Sequence, residues 1–190
     1  MRKLALLVVD LVNDFTQPTG KVYYPSTGAM MPAVVRLINQ VKEREILTIY
    51  IQQIVELAEN ERRGKTFISL RESCVEGTGG ELLDPRLPID ENDPIVVKRK
   101  ASGFFKTNLE ELLIGNGIEA VAIIGTKTNV CVRATAVDAS MREFRTYLIS
   151  DCVSTNTDEL NKFHIEDIGK YTAKILTSDE LIAMIDSGTI

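Results

Sequence analysis

Along this chain short, unbroken apolar runs alternate with longer stretches in which apolar residues recur at helical spacing. Residues 4–9 read Leu-Ala-Leu-Leu-Val-Val and stop at Asp10. Such a run is too short for a helix and lacks the alternation of a strand with one wet face, so it predicts a central parallel strand buried on both sides. Runs at 46–51, 94–97, 121–124, 147–149 and 173–176 predict five more strands. Between them, Val34, Leu37, Ile38 and Val41 form one apolar stripe, and Cys131, Ala134, Val137 and Met141 form another within a predicted helix over 130–144. Pro32 suits a first helical turn, and a further helix is predicted over 158–168. Thr107 with Glu110, and Thr177 with Glu180, have the spacing of capping boxes. Residues 17–28, with Pro18, Gly20 and Pro25, predict an irregular loop. Strands alternating with helices predict an α/β fold: a doubly wound, mostly parallel sheet of about six strands with helices on both faces.

A length of 190 residues suits one domain spanning 1–190 and hardly allows two. Formal net charge is −5, which argues against a nucleic-acid partner. No apolar run approaches the ~18 residues of a membrane span, and the first residues lack a cleavage site, so neither membrane insertion nor a signal peptide is expected. Cys74, Cys131 and Cys152 are an odd number without regular spacing. Reduced thiols in a cytoplasm are expected rather than a disulfide scaffold. The region 52–93 is the least patterned. Its charged part, 56–65, reads as a solvated helix or loop, and Gly77-Thr78-Gly79-Gly80 lacks the Lys-Ser/Thr of a phosphate loop. A connection this long points to a lid or a wall of a site.

Three reactive residues stand at predicted strand ends: Asp10 after the first, Lys98 after the third, Cys131 shortly after the fourth. Parallel strands gather such ends on one edge of the sheet, where ligands bind. A cysteine in the first turn of a helix meets unpaired N–H groups and the positive end of the helix dipole, which favour a thiolate. With a carboxylate to move protons and an ammonium to lower the thiol pKa, the three suit attack on an acyl carbon. Each also has a plainer reading: Asp10 as a turn cap, Lys98 as part of a solvated run with Arg99 and Lys100, Cys131 as a small core residue.

The chain resembles the isochorismatase-like cysteine hydrolases, a family that includes nicotinamidases and N-carbamoylsarcosine amidohydrolases. The motifs that carry the resemblance occur in order: Asp-x-x-x-Asp-Phe at Asp10 to Phe15, Cys-x-x-Gly-Thr-x-Gly at Cys74 to Gly80, Lys98-Arg99-Lys100-Ala101-Ser102-Gly103-Phe104, Gly125-Thr126-Lys127-Thr128-Asn129-Val130-Cys131-Val132, and Thr-x-x-Asp-Ala at Thr135 to Ala139. The resemblance implies Asp10 as general base, Lys98 as its charged partner and Cys131 as nucleophile. It implies a non-proline cis peptide between Thr126 and Lys127, with the N–H groups of Lys127 and Cys131 as an oxyanion hole. It places Phe15 and Phe104 where the family often lines its substrate pocket. It also implies a dimer or tetramer and a small-molecule substrate, with no organic cofactor.

Two departures stand out. Val12 occupies a position where the family commonly has Gln. The family's metal-binding Asp-x-His element falls at Ile51-Gln52-Gln53-Ile54, and the sole histidine is His164, so a multi-histidine metal site is impossible and no metal is expected. His164 itself is expected to be structural. The leading expectation is therefore a metal-independent amidohydrolase of a small amide, ureide or carbamoyl compound, working through a thioester. The alternatives are vinyl-ether hydrolysis using Asp10 without Cys131, or a scaffold that has lost catalysis and serves in binding or assembly.

Overall fold

Strand β1 (Leu4–Val9) runs through the middle of the sheet with all six residues buried. Leu4, Leu6 and Val8 turn to one core; Ala5, Leu7 and Val9 turn to the other. This two-sided burial is why the run has no polar member. The computed structural model describes residues 3–56 and 73–190; the predicted charged stretch over 56–65 lies outside them from residue 57 onward. After β1 come a single turn α1 (Asn13–Thr16), α2 (Pro25–Lys42), β2 (Leu47–Gln53), β3 (Ile95–Lys98), α3 (Leu109–Gly115) and β4 (Ala120–Thr126). A π-helical turn over Thr128–Val132 leads into α4 (Arg133–Met141), followed by β5 (Arg145–Ser154), α5 (Asp158–Tyr171), β6 (Lys174–Leu176) and α6 (Ser178–Asp186). All strand pairs are parallel, in the order β3-β2-β1-β4-β5-β6. Helices α2 and α6 pack on one face, and α3, α4 and α5 on the other.

Several local expectations change. The helix predicted from Pro32 begins at Pro25, a first-turn proline, and Pro32 lies inside it. Pro32, expected in a first turn, and Gly28, expected in the preceding loop, both lie within the helix, which seven buried side chains, Met30 and Met31 among them, hold against the sheet. Strand β5 extends well past 149 because one residue of β4, Ile124, faces four of β5 between the pairs Ile123–Leu148 and Gly125–Val153. Asp151, in that extra length, accepts the Ser178 N–H at 2.8 Å and the Ser178 hydroxyl at 2.5 Å. A polar interruption in the sequence is thus a clamp on the start of α6. The Thr177–Glu180 capping box forms; the Thr107–Glu110 box does not, since Glu110 turns to Arg142 at 2.9 Å. Residues 73–93 are tied down by bridges from Val12 to Leu83 and from Val55 to Val75.

Candidate active site

The chain lays β1, β2 and β3 to one side, then crosses back to place β4 on the other side of β1. The carboxyl ends of β1 and β4 are where such sheets open a crevice. Here they are pressed together: a Cβ on Gly125 would stand 2.0 Å from the Val9 carbonyl oxygen, and Gly125 has φ +119°, so only glycine fits. Asp10 continues β1 by one hydrogen bond, its N–H to the Ile51 carbonyl at 2.9 Å, then turns at φ +52° into the approach to α1. Aspartate is among the few side chains that tolerate this region, and the hydrogen bond to β2 holds it there. On the β4 side the Thr126–Lys127 peptide is cis, and the next turn carries Cys131. That turn is π-helical: the N–H groups of Val130 and Val132 both reach the Lys127 carbonyl, at 3.0 and 3.2 Å. Thr128 anchors it to α5 through Asn161 at 2.6 Å.

Lys98 ends β3, in register with Gln53 at the end of β2. Its side chain crosses the end of β2 and is fully buried. The ammonium lies 2.7 Å from Asp10 Oδ2, 2.8 Å from Gln53 Oε1, 3.0 Å from the Lys100 carbonyl and 3.4 Å from Cys131 Sγ. The three residues predicted to meet from three strand ends do meet. Burial pushes the Asp10 carboxyl up, with the Lys98 ammonium opposing. Lys98 loses hydration too, yet Asp10 and Cys131 more than compensate, and it is held as a cation above its usual range. Burial likewise pushes the Cys131 thiol up, to about 12, with Lys98 opposing and Asp10 adding to the rise. This corrects the expectation of a thiolate favoured at the helix start: the desolvation of a buried sulfur outweighs the ammonium beside it.

Around these three, the other recurring motif residues serve as ties. The Ser102 hydroxyl donates to Asp138 at 2.5 Å, and the Gly103 N–H donates to Thr135 Oγ1 at 3.0 Å, so the lysine loop is fastened to α4. Asp14 accepts the Cys74 N–H at 2.6 Å and the Lys21 N–H at 3.1 Å. A Cβ on Gly80 would stand 2.3 Å from the same carboxylate, so the 74–80 segment folds tightly over it as a wall rather than a phosphate loop. Phe15 packs with Val12 and Cys74. Phe104 stacks on Phe144, ring centroids 6.2 Å apart, with the Arg142 guanidinium over its ring. His164 lies beside Arg133, 3.5 Å from its guanidinium, between α4 and α5.

Gln53 was not singled out from the sequence; only its register with Lys98 gives it meaning. Gln52 donates to the Glu81 carbonyl at 2.7 Å. Both side chains of the segment where a metal-binding Asp-x-His was sought are thus engaged in holding the site's own walls. Among the described residues no three His, Cys, Asp or Glu side chains gather closely enough to hold an ion.

A profile of the Isochorismatase domain matches residues 4–180. The chain is 29% identical over 190 residues to a probable inactive nicotinamidase of Arabidopsis thaliana, covering 94% of each. It is 25% identical to a maleamate amidohydrolase of Pseudomonas putida, over 97% of this chain and 87% of that one. Among solved structures, a pyrazinamidase of Pyrococcus horikoshii in complex with zinc superposes with a TM-score of 0.81 at 30% identity, covering 92% of this chain and 99% of that one.

Proposed function

The chain belongs to the isochorismatase family of hydrolases, and from that premise we propose that it is a metal-independent cysteine amidohydrolase acting on a small amide, ureide or carbamoyl compound. One observation carries the reading: the Lys98 ammonium touches both the Asp10 carboxylate and the Cys131 sulfur inside a buried site. No binding or structural role calls for that set. With its thiol raised to about 12, Cys131 rests protonated and needs a base at the moment of attack. Asp10, whose basicity burial increases, is that base, and Lys98 keeps the neighbourhood neutral while the proton moves.

The steps follow. Asp10 takes the thiol proton as Sγ adds to the carbonyl carbon. The N–H groups of Lys127 and Cys131 receive the oxyanion. Asp10 returns the proton to the leaving nitrogen, the C–N bond breaks and a thioester remains. Water, deprotonated by Asp10, adds to the thioester, and the released thiolate recovers its proton. We assign Phe15 and Phe104 to the lining of the substrate pocket on the resemblance alone. The amidohydrolase name of one relative supports the C–N bond as the target. A reduced cytoplasmic setting and assembly into a dimer or tetramer belong to the same reading.

Ammonia release from a panel of short amides, ureides and carbamoyl acids, with intact-mass detection of an acyl adduct, tests it. The parent chain should turn over at least one compound, and Cys131→Ala and Asp10→Asn should each abolish turnover and adduct. A Cys131→Ala variant as active as the parent would mean chemistry without the thiol.

A further inference from the structure

Lys127 is a second buried cation at this edge of the sheet, with only 8% of its surface exposed. The other buried ammonium, Lys98, is neutralised by Asp10, and Arg99, Arg86 and Arg133 pair with Glu56, Asp84 and Asp167. Lys127 Nζ has no such acid among the described residues. Among the described residues its partners are the Tyr24 hydroxyl at 3.1 Å and the face of the Tyr24 ring, 4.7 Å to the centroid. A hydroxyl and a ring offset only part of the cost of removing an ammonium from water.

The backbone of Lys127 belongs to the turn that carries the reacting thiol of Cys131: the residue follows the cis peptide, and its carbonyl holds that turn. Tyr24 is held over the same edge because the Ser26 hydroxyl donates to the Thr155 carbonyl at 2.8 Å and Thr27 accepts from Ser154 at 2.9 Å. Tyr24 also immediately precedes the first turn of α2, an 18-residue helix whose positive end adds to the ammonium. With Asp10 and Lys98 paired to each other, Lys127 is left, among the described residues, without an acid beside it.

Resting on the amidohydrolase reading, we propose that Lys127 and Tyr24 bind a carboxylate on the substrate, so that the substrate is a short amide or carbamoyl compound bearing a free acid group. The Lys127 ammonium pairs with the carboxylate and the Tyr24 hydroxyl donates to it. A neutral isostere leaves the lysine unpaired, and such sites discriminate strongly against the analogue that lacks the group.

Matched pairs test this: succinamate against succinamide, and N-carbamoylglycine against its primary amide. The parent should favour the acid member at least tenfold in kcat/KM. Lys127→Met should erase that preference mainly through KM, and Lys127→Arg should restore part of it. Calorimetric binding of succinamate to Cys131→Ala should weaken tenfold or more when Lys127→Met is added. Equal turnover within each pair by the parent, a preference that survives Lys127→Met, or absent or unchanged succinamate binding would overturn the carboxylate site. Lys127-dependent binding without ammonia release from any compound would leave this site standing and overturn the amidohydrolase reading instead.

Discussion

The Lys98 ammonium lies 2.7 Å from the Asp10 carboxylate, and neither side chain has exposed surface. Each therefore depends on the other for its charge. Removing only the cation leaves an uncompensated buried carboxylate, a loss of roughly 3–5 kcal/mol unless Asp10 takes up a proton. Lys98→Met should lower activity about 10²-fold or more, the scale of a lost proton-transfer arrangement. Arg99→Met and Lys100→Met should change it little, because Arg99 pairs with Glu56 at the surface and Lys100 offers only its carbonyl. In urea, the double variant Asp10→Asn with Lys98→Met should be more stable than the sum of the single losses. Additive losses, or equal activity loss at 98, 99 and 100, would remove the pair from the site.

Chelation should leave the rate of ammonia release unchanged. The segment that would supply metal ligands has Gln52 on the Glu81 carbonyl and Gln53 on Lys98, and neither amide is a substitute for a histidine or carboxylate. Nicotinamide should be a poor substrate, since its ring nitrogen has no metal to meet. Loss of activity in EDTA that zinc restores would contradict both statements.

Much of this site was legible from where apolar runs stop. Asp10, Lys98 and Cys131 end or follow continuous hydrophobic stretches, and parallel strands bring such points together whatever lies between. The cis Thr126–Lys127 peptide came from motif resemblance, and no composition or periodicity would have revealed it. What stayed hidden depends on register and enclosure. Gln53 has a role because β2 and β3 pair so that it stands beside Lys98. Cys74 falls in the unpatterned region 52–93, where no periodicity signals enclosure, yet the fold over Asp14 buries it. The length of β5 was lost because Ser150 and Asp151 break its apolar run.

Alkaline pH should destabilise the fold early. Burial raises all three thiols above their ordinary value of 9.0, Cys131 to about 12. The folded chain then keeps protons that the unfolded chain gives up, so stability falls as pH rises from 9 through the folded values. The slope is roughly 1.4 kcal/mol per pH unit for each thiol. Lys98, also raised, adds a loss of the same sign above 10.5. Urea unfolding at intervals from pH 8 to 11 should show this decline, and Cys152→Ala should reduce its slope by one thiol's share. Stability independent of pH across that range would show that the thiols are not held protonated.

Iodoacetamide should label Cys131 ahead of the other two thiols, and the reason is access with a neighbouring cation rather than a depressed pKa. Cys131 is 5% exposed, against 1% for Cys74 and none for Cys152. Among the described residues it alone has an ammonium at 3.4 Å, whereas Cys74 lies in the field of Asp10 and Asp14, and Cys152 in that of Asp151. A helix-start thiolate activated at rest would titrate at roughly 3.5–7.5 and label at a plateau rate by neutral pH. With its thiol raised to about 12, Cys131 should instead label slowly at pH 7 and faster with each step upward, without an inflection below pH 8. Lys98→Met should slow it across the whole series, because the thiolate loses its nearest counter-charge. Peptide mass spectrometry over pH 6–10 separates the possibilities. A plateau below pH 8 would mean that Asp10 holds the proton in the resting enzyme, with thiolate and ammonium already paired. Faster labelling of Cys74 or Cys152, or indifference to Lys98→Met, would move the nucleophile elsewhere.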